Sequence, residues 1–178
     1  TLLSLAVIGS IALIYVIIAN TKGKSEWNRV VVILVLCFFN IFFFAGFEQA
    51  GGTMNLFADE NTNRLTFMGE IPATLFQAVN PVFIVLLAPI ISILWTWLAS
   101  KAKEPNIPVK FGLGLVFLGL GFWVMNVAAT LSKGGSLVSP MWLVSVYFIH
   151  TIGELCLSPI GLSMISRLSP PKIVSVMM

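Results

Sequence analysis

Charge is scarce in this chain: 10% of its 178 residues are Asp, Glu, Lys or Arg, against 58% that are hydrophobic. A water-soluble domain of this length cannot cover itself with so few charges, so the soluble globular classes are excluded. Cysteine is nearly absent. Cys37 and Cys156 both lie inside apolar runs, where a thiol behaves as a small hydrophobe, so neither a disulfide framework nor a metal site is expected. The ten basic and seven acidic residues leave a net charge of +3. They are dispersed among short connections, which excludes a nucleic-acid footprint. There is no low-complexity stretch, no internal repeat, no N-x-S/T acceptor and no glycine loop with the strand and spacing of a nucleotide site.

Long apolar runs are what the chain has instead. Five are long enough to cross a hydrocarbon core of roughly 30 Å: Leu2 to Ala19, Asn28 to Phe57, Ala73 to Leu98, Phe111 to Leu131 and Met141 to Ile165. The expected class is an all-α, polytopic helical membrane protein with five transmembrane helices. Lys22, Lys24, Arg29, Lys101, Lys103, Lys110, Arg167 and Lys172 fall on one side of this arrangement, and only Arg64 and Lys133 on the other. Short basic loops stay cytoplasmic, so the N-terminus is expected outside and the C-terminus inside. The first run lacks a basic flank and a cleavage motif, which speaks against a signal peptide. Apolar residues at both ends predict a piece of a longer polytopic protein.

Within the fifth run, Tyr147, His150, Thr151, Glu154, Ser158 and Gly161 recur at helical spacing and form one polar stripe. An ionisable group at the bilayer centre costs about 2.5 to 3.5 kcal/mol on insertion scales, so Glu154 belongs in a bundle interior or a wet cavity and points to transport. Pro159 leaves the Leu155 carbonyl without its helical donor beside the stripe, predicting a kink there. Ser139 followed by Pro140 is a good helix start. In the third run Gln77 and Asn80 share a face, and Pro81 and Pro89 interrupt the backbone ladder. Asn80 either binds substrate or satisfies groups freed by those prolines.

Glu48 is the second acid at depth, followed by Gly51 and Gly52, which make that end of its helix easy to bend. It reads as a proton carrier or as half of a structural ion pair. His150 is either a relay partner for Glu154 or a quiet interhelical hydrogen bonder. Gly112, Gly114, Gly119 and Gly121 repeat in pairs suited to close helix packing. Pro105 and Pro108 are expected to break the chain between the third and fourth runs, and Ala58 to Pro72 to form a solvated loop.

Three stretches together resemble the proton-coupled oligopeptide transporters, a family of the major facilitator superfamily. They are Phe47-Glu48-Gln49, then Phe76-Gln77-Ala78-Val79-Asn80-Pro81, then Gly153-Glu154-Leu155-Cys156-Leu157-Ser158-Pro159-Ile160-Gly161 with Ser169-Pro170-Pro171-Lys172 beyond. The resemblance implies a fragment of the major facilitator fold. Residues 1–24 would hold an accessory helix between the two six-helix halves, and residues 25–178 helices seven to ten and the start of eleven. It further implies proton coupling at Glu48 and substrate binding by Asn80, Glu154 and Ser158; Gln77, Tyr147 and His150 are further candidates from their helical spacing alone. The expected partners are di- and tripeptides, protons, the bilayer of a bacterial inner membrane and the missing N-terminal half and last helices of the same protein; no cofactor is expected and the protein is no enzyme. Transport of another small organic solute, or a membrane scaffold with structural acids, are the alternatives.

Overall fold

The computed structural model describes Tyr15, residues 23–66 and residues 69–168, with the backbone alone at Ser25, Thr66 and residues 158–168. The first apolar run, apart from Tyr15, and the segment beyond Leu168 lie outside the described residues. Among the described residues five helices follow in order: α1 (Lys24–Phe47), α2 (Thr53–Asn61), α3 (Val79–Ser100), α4 (Ile107–Leu131) and α5 (Met141–Leu168). A 3-10 turn, Glu48–Ala50, lies between α1 and α2, and a longer 3-10 stretch, Ala73–Ala78, leads into α3. The two-residue strands β1 (Leu65–Thr66) and β2 (Gly69–Glu70) pair antiparallel between them. The chain divides into two compact units, Thr1–Phe39 with Pro159–Met178, and Asn40–Ser158. The second unit holds every candidate site residue.

Three helical stretches, Glu26–Asn61, Ala73–Ser100 and Ile107–Leu131, are long and apolar enough to cross a membrane. α5 has 28 residues, about 42 Å of helix, and is apolar from Met141 to Leu157. It stays helical through Pro159. Its start is built as the sequence predicts: the Ser139 hydroxyl accepts the Met141 N–H at 3.3 Å, with Pro140 between them.

Three expectations are corrected. The second run is not one helix to Phe57: it stops at Phe47 and resumes at Thr53, because Gly52 adopts a non-helical φ of −108° and ψ of −97°. Two adjacent glycines weaken a helix by about 1 kcal/mol each relative to alanine. The predicted loop from Ala58 to Pro72 is correspondingly shortened, since α2 continues to Asn61. Pro108 and Pro81 break nothing. Pro108 sits in the opening turn of α4, where an absent N–H has no bond to lose. Pro81 is third in α3, leaving only Pro89 inside that helix.

α2 presents Met54, Phe57 and Ala58, spaced three and four apart, to Leu143, Val146 and Tyr147 of α5, with Phe76, Ala128 and Val138 completing the core. Main-chain bonds tie this end together. Asn63 N–H donates to the Val138 carbonyl at 2.8 Å, and Val138 N–H donates to the Asn61 carbonyl at 2.9 Å. Arg64 bonds Asp59 and Glu70, each at 2.8 Å, and donates to the Ile71 carbonyl at 3.0 Å. At the other end of α3 and α4, the buried Lys110 pairs with Glu104 at 2.5 Å and lies 4.4 Å above the Trp95 ring. α3 itself has no buried residue; Val82, Val85, Leu86, Ile90 and Ile93 are all exposed.

Candidate functional site

α5 is held against α4 by glycine. A Cβ at Gly121 would collide with the His150 ring, and one at Gly114 would strike Leu157. A Cβ at Gly153 would lie 2.9 Å from the Gly114 carbonyl oxygen. The other two glycines of α4, Gly112 and Gly119, have nothing within 4 Å of a built Cβ, so one pair packs and its counterpart does not. His150 is 1% exposed, and its Nε2 donates to the Leu118 carbonyl at 3.2 Å. Phe122 and Phe47 wall the ring at 5.1 and 6.4 Å. His150 therefore bonds α4 and does not pair with Glu154. Thr151 is also fully buried, its hydroxyl donating to the Tyr147 carbonyl at 2.7 Å.

Tyr147 and Glu154 of the stripe open onto a cavity of about 310 Å³ that they line together with Glu48, Ala50, Gly51, Gln77 and Asn80. Asn80 reaches it because the 3-10 stretch ends where α3 begins, two residues before Pro81. Its side-chain Nδ2 donates to Glu154 Oε2 at 3.2 Å, while its own Oδ1 is buried and accepts nothing among the described residues. Tyr147, 2% exposed, donates its hydroxyl to the Ala50 carbonyl at 3.4 Å. Glu48 opens the 3-10 turn at the helix break; in this segment it is exposed, not buried as the sequence suggests. Gln77 lines the cavity half-buried. The Ser158 side chain lies outside the described residues.

Sequence reasoning misses the Ala50 carbonyl, although the glycine pair after it is the signal: a helix that breaks frees carbonyls just before the break. A larger cavity of about 560 Å³, lined by Asn55, Asp59, Arg64 and Thr74, lies near the hairpin. Its one cation, Arg64, is already bonded to two carboxylates and a carbonyl.

The chain is 41% identical over 161 residues to the peptide transporter YePEPT of Yersinia enterocolitica, covering 89% of this chain and 32% of that protein. It is 30% identical over 151 residues to dipeptide and tripeptide permease B of Salmonella typhimurium, covering 85% and 31%. The chain thus spans about a third of the length of the curated relatives it matches. Its fold superimposes on the crystal structure of a peptide transporter POT in complex with sulfate with a TM-score of 0.86 and 36% identity, over 97% of this chain and 35% of the other. A POT family transporter in complex with a thioalcohol-conjugated peptide gives 0.80 and 31%, over 97% and 36%. The family described as PTR2, POT family, matches residues 2–178. With that match spread over all its helices, the chain is an integral membrane protein and belongs to the POT family.

Proposed function

We propose that the chain supplies part of a proton-driven importer of di- and tripeptides that works by alternating access. The observation that carries this reading is the unmatched acceptor in the cavity. Asn80 gives a donor to Glu154 and keeps a buried carbonyl oxygen with no donor of its own, beside a carboxylate with lone pairs to spare. An amide oxygen without a donor among the described residues, beside a carboxylate, suits a cation, and the ammonium at a peptide's amino terminus supplies both the charge and three N–H groups. The names of the relatives support the same substrate class.

Glu48 has the proton role, since it makes no ion pair among the described residues and sits at the helix break facing the same cavity. Residues 25–178 form part of the C-terminal six-helix bundle, and residues 1–24 an accessory helix beside it. The membrane is the bacterial inner membrane, with the basic loops cytoplasmic and the hairpin outside. Arg64 fits that side, because its charge is offset by Asp59 and Glu70.

A second reading has one observation in its favour: a POT family transporter, 30% identical, has been solved with 5-aminolevulinic acid. Such a solute also offers an ammonium to Asn80 and Glu154. Uptake by the full-length protein, with a dipeptide, a free amino acid and 5-aminolevulinic acid, each with and without a proton gradient, separates the two. Gradient-dependent accumulation of the dipeptide is expected. Accumulation of the other solutes alone refutes the peptide reading, and uptake of none refutes transport.

A further inference from the structure

The helix break beside Glu48 has a fastener. In an unbroken α-helix the Ala50 carbonyl would accept the Met54 N–H. Gly52 leaves helical geometry and Thr53 begins a new helix, so that donor is withdrawn from Ala50. The tie that replaces it comes from α5: the Tyr147 hydroxyl donates to the Ala50 carbonyl at 3.4 Å. A buried phenol without an acceptor is costly, and a half-buried carbonyl gains from a donor. Each satisfies the other. Other side-chain bonds at the break stay within it, Gln49 to the Ala45 carbonyl and Thr53 to Gln49.

Tyr147 and Glu154 stand two turns apart on α5 and line one cavity with Glu48. α2 is meanwhile fixed to the start of α5 through Asn61, Asn63 and Val138. Any change that heals or opens the break therefore moves α1 and Glu48 relative to an anchored α2. Two states of the backbone compete for the Ala50 carbonyl: a continuous helix in which Met54 takes it, and the broken one in which Tyr147 does.

We propose that Tyr147 is a positioning residue whose hydroxyl selects the broken state and so couples Glu154, where substrate sits, to Glu48, where the proton sits. The role of the two acids rests on the reading above; the competition for the carbonyl does not.

Tyr147→Phe in the full-length protein removes the oxygen and keeps the ring packed among Leu143 and Val146. Proton-driven accumulation of a dipeptide should fall about five- to tenfold, the scale on which one hydrogen bond biases a two-state equilibrium. Dipeptide affinity, measured by calorimetry, should stay within about threefold. Amide hydrogen exchange at Met54 should slow as the helix heals. Gly52→Ala, which disfavours the non-helical φ of −108° and ψ of −97° at the break and meets nothing nearer than the Gln49 side-chain oxygen at 3.9 Å, should act in the same direction without touching Tyr147. Equal loss of affinity and accumulation, or wild-type values for both, overturns the coupling role. Unchanged or faster exchange at Met54 in both variants overturns the competition itself. A wild-type protein that binds no dipeptide refutes the transport reading instead, and the exchange data still decide the fastener.

Discussion

One helix, α5, offers its polar stripe to two unlike neighbours. Toward α4 it presents His150, which is sealed by glycine, two phenyl rings and a backbone acceptor. Toward α3 and the break after Phe47 it presents Tyr147 and Glu154, which line a cavity. Both sides carry a buried atom without a partner among the described residues, His150 Nδ1 on one and Asn80 Oδ1 on the other. The difference is access. A ring walled by Phe47 and Phe122 can forgo one hydrogen bond as a neutral imidazole without inviting a ligand, whereas an acceptor beside a carboxylate at a cavity wall attracts a cation. Unmet hydrogen bonding marks a functional site only where something can arrive to meet it.

The largest effect is expected on the sealed side. Gly121→Leu drives a branched side chain into a ring that has no room to retreat, so the full-length protein should lose most of its folded yield on size-exclusion chromatography. Combining it with His150→Ala should recover part of that yield. Recovery without the second change would mean that α4 and α5 are not packed this closely.

On the open side, Glu48→Gln keeps shape and hydrogen bonding but removes the titrating group. Accumulation against a gradient should vanish while downhill counterflow of labelled peptide persists. Equal loss of both would make Glu48 a structural acid and shift the proton path elsewhere.

Glu154→Gln should weaken binding of dipeptides with a free amino terminus by about 1.5 to 3 kcal/mol, the scale of a charged hydrogen bond, or roughly ten- to a hundredfold. Peptides with a blocked amino terminus should lose far less. The same loss for both kinds of peptide would remove Glu154 from the ammonium site.

The smallest effect on substrate is expected from His150→Ala. It should cost about 2 kcal/mol of stability by leaving a cavity, measured as a lower thermal midpoint, and change dipeptide affinity by less than about twofold. A drop in affinity comparable to that of Glu154→Gln would erase the distinction between the two sides.

Much of this division is legible in the amino-acid order alone. The stripe is a matter of helical spacing, and the packing role of the α4 glycines follows from the absence of a side chain. Which glycine pair packs is not legible, because Gly112 and Gly114 differ only in which way the helix is turned, and that depends on its neighbours. The bond from Asn80 to Glu154 joins residues 74 apart in sequence, and one chain's periodicity carries no information about such pairs. The family resemblance points to both residues, but not to their contact. Glu48 reads as buried only while its helix reads as unbroken; the glycine pair argues for the bend but not for its consequence.

The tie between Asn63, Val138 and Asn61 is made of main-chain atoms. Substitution can exchange the exposed side chains around it without severing it, because neither bond uses a side-chain atom. Only a proline at Asn63 or Val138 would delete one of its two donors. The side chains at this end are thus free to vary, while the link that keeps α2 in step with α5 passes unchanged from one variant to the next.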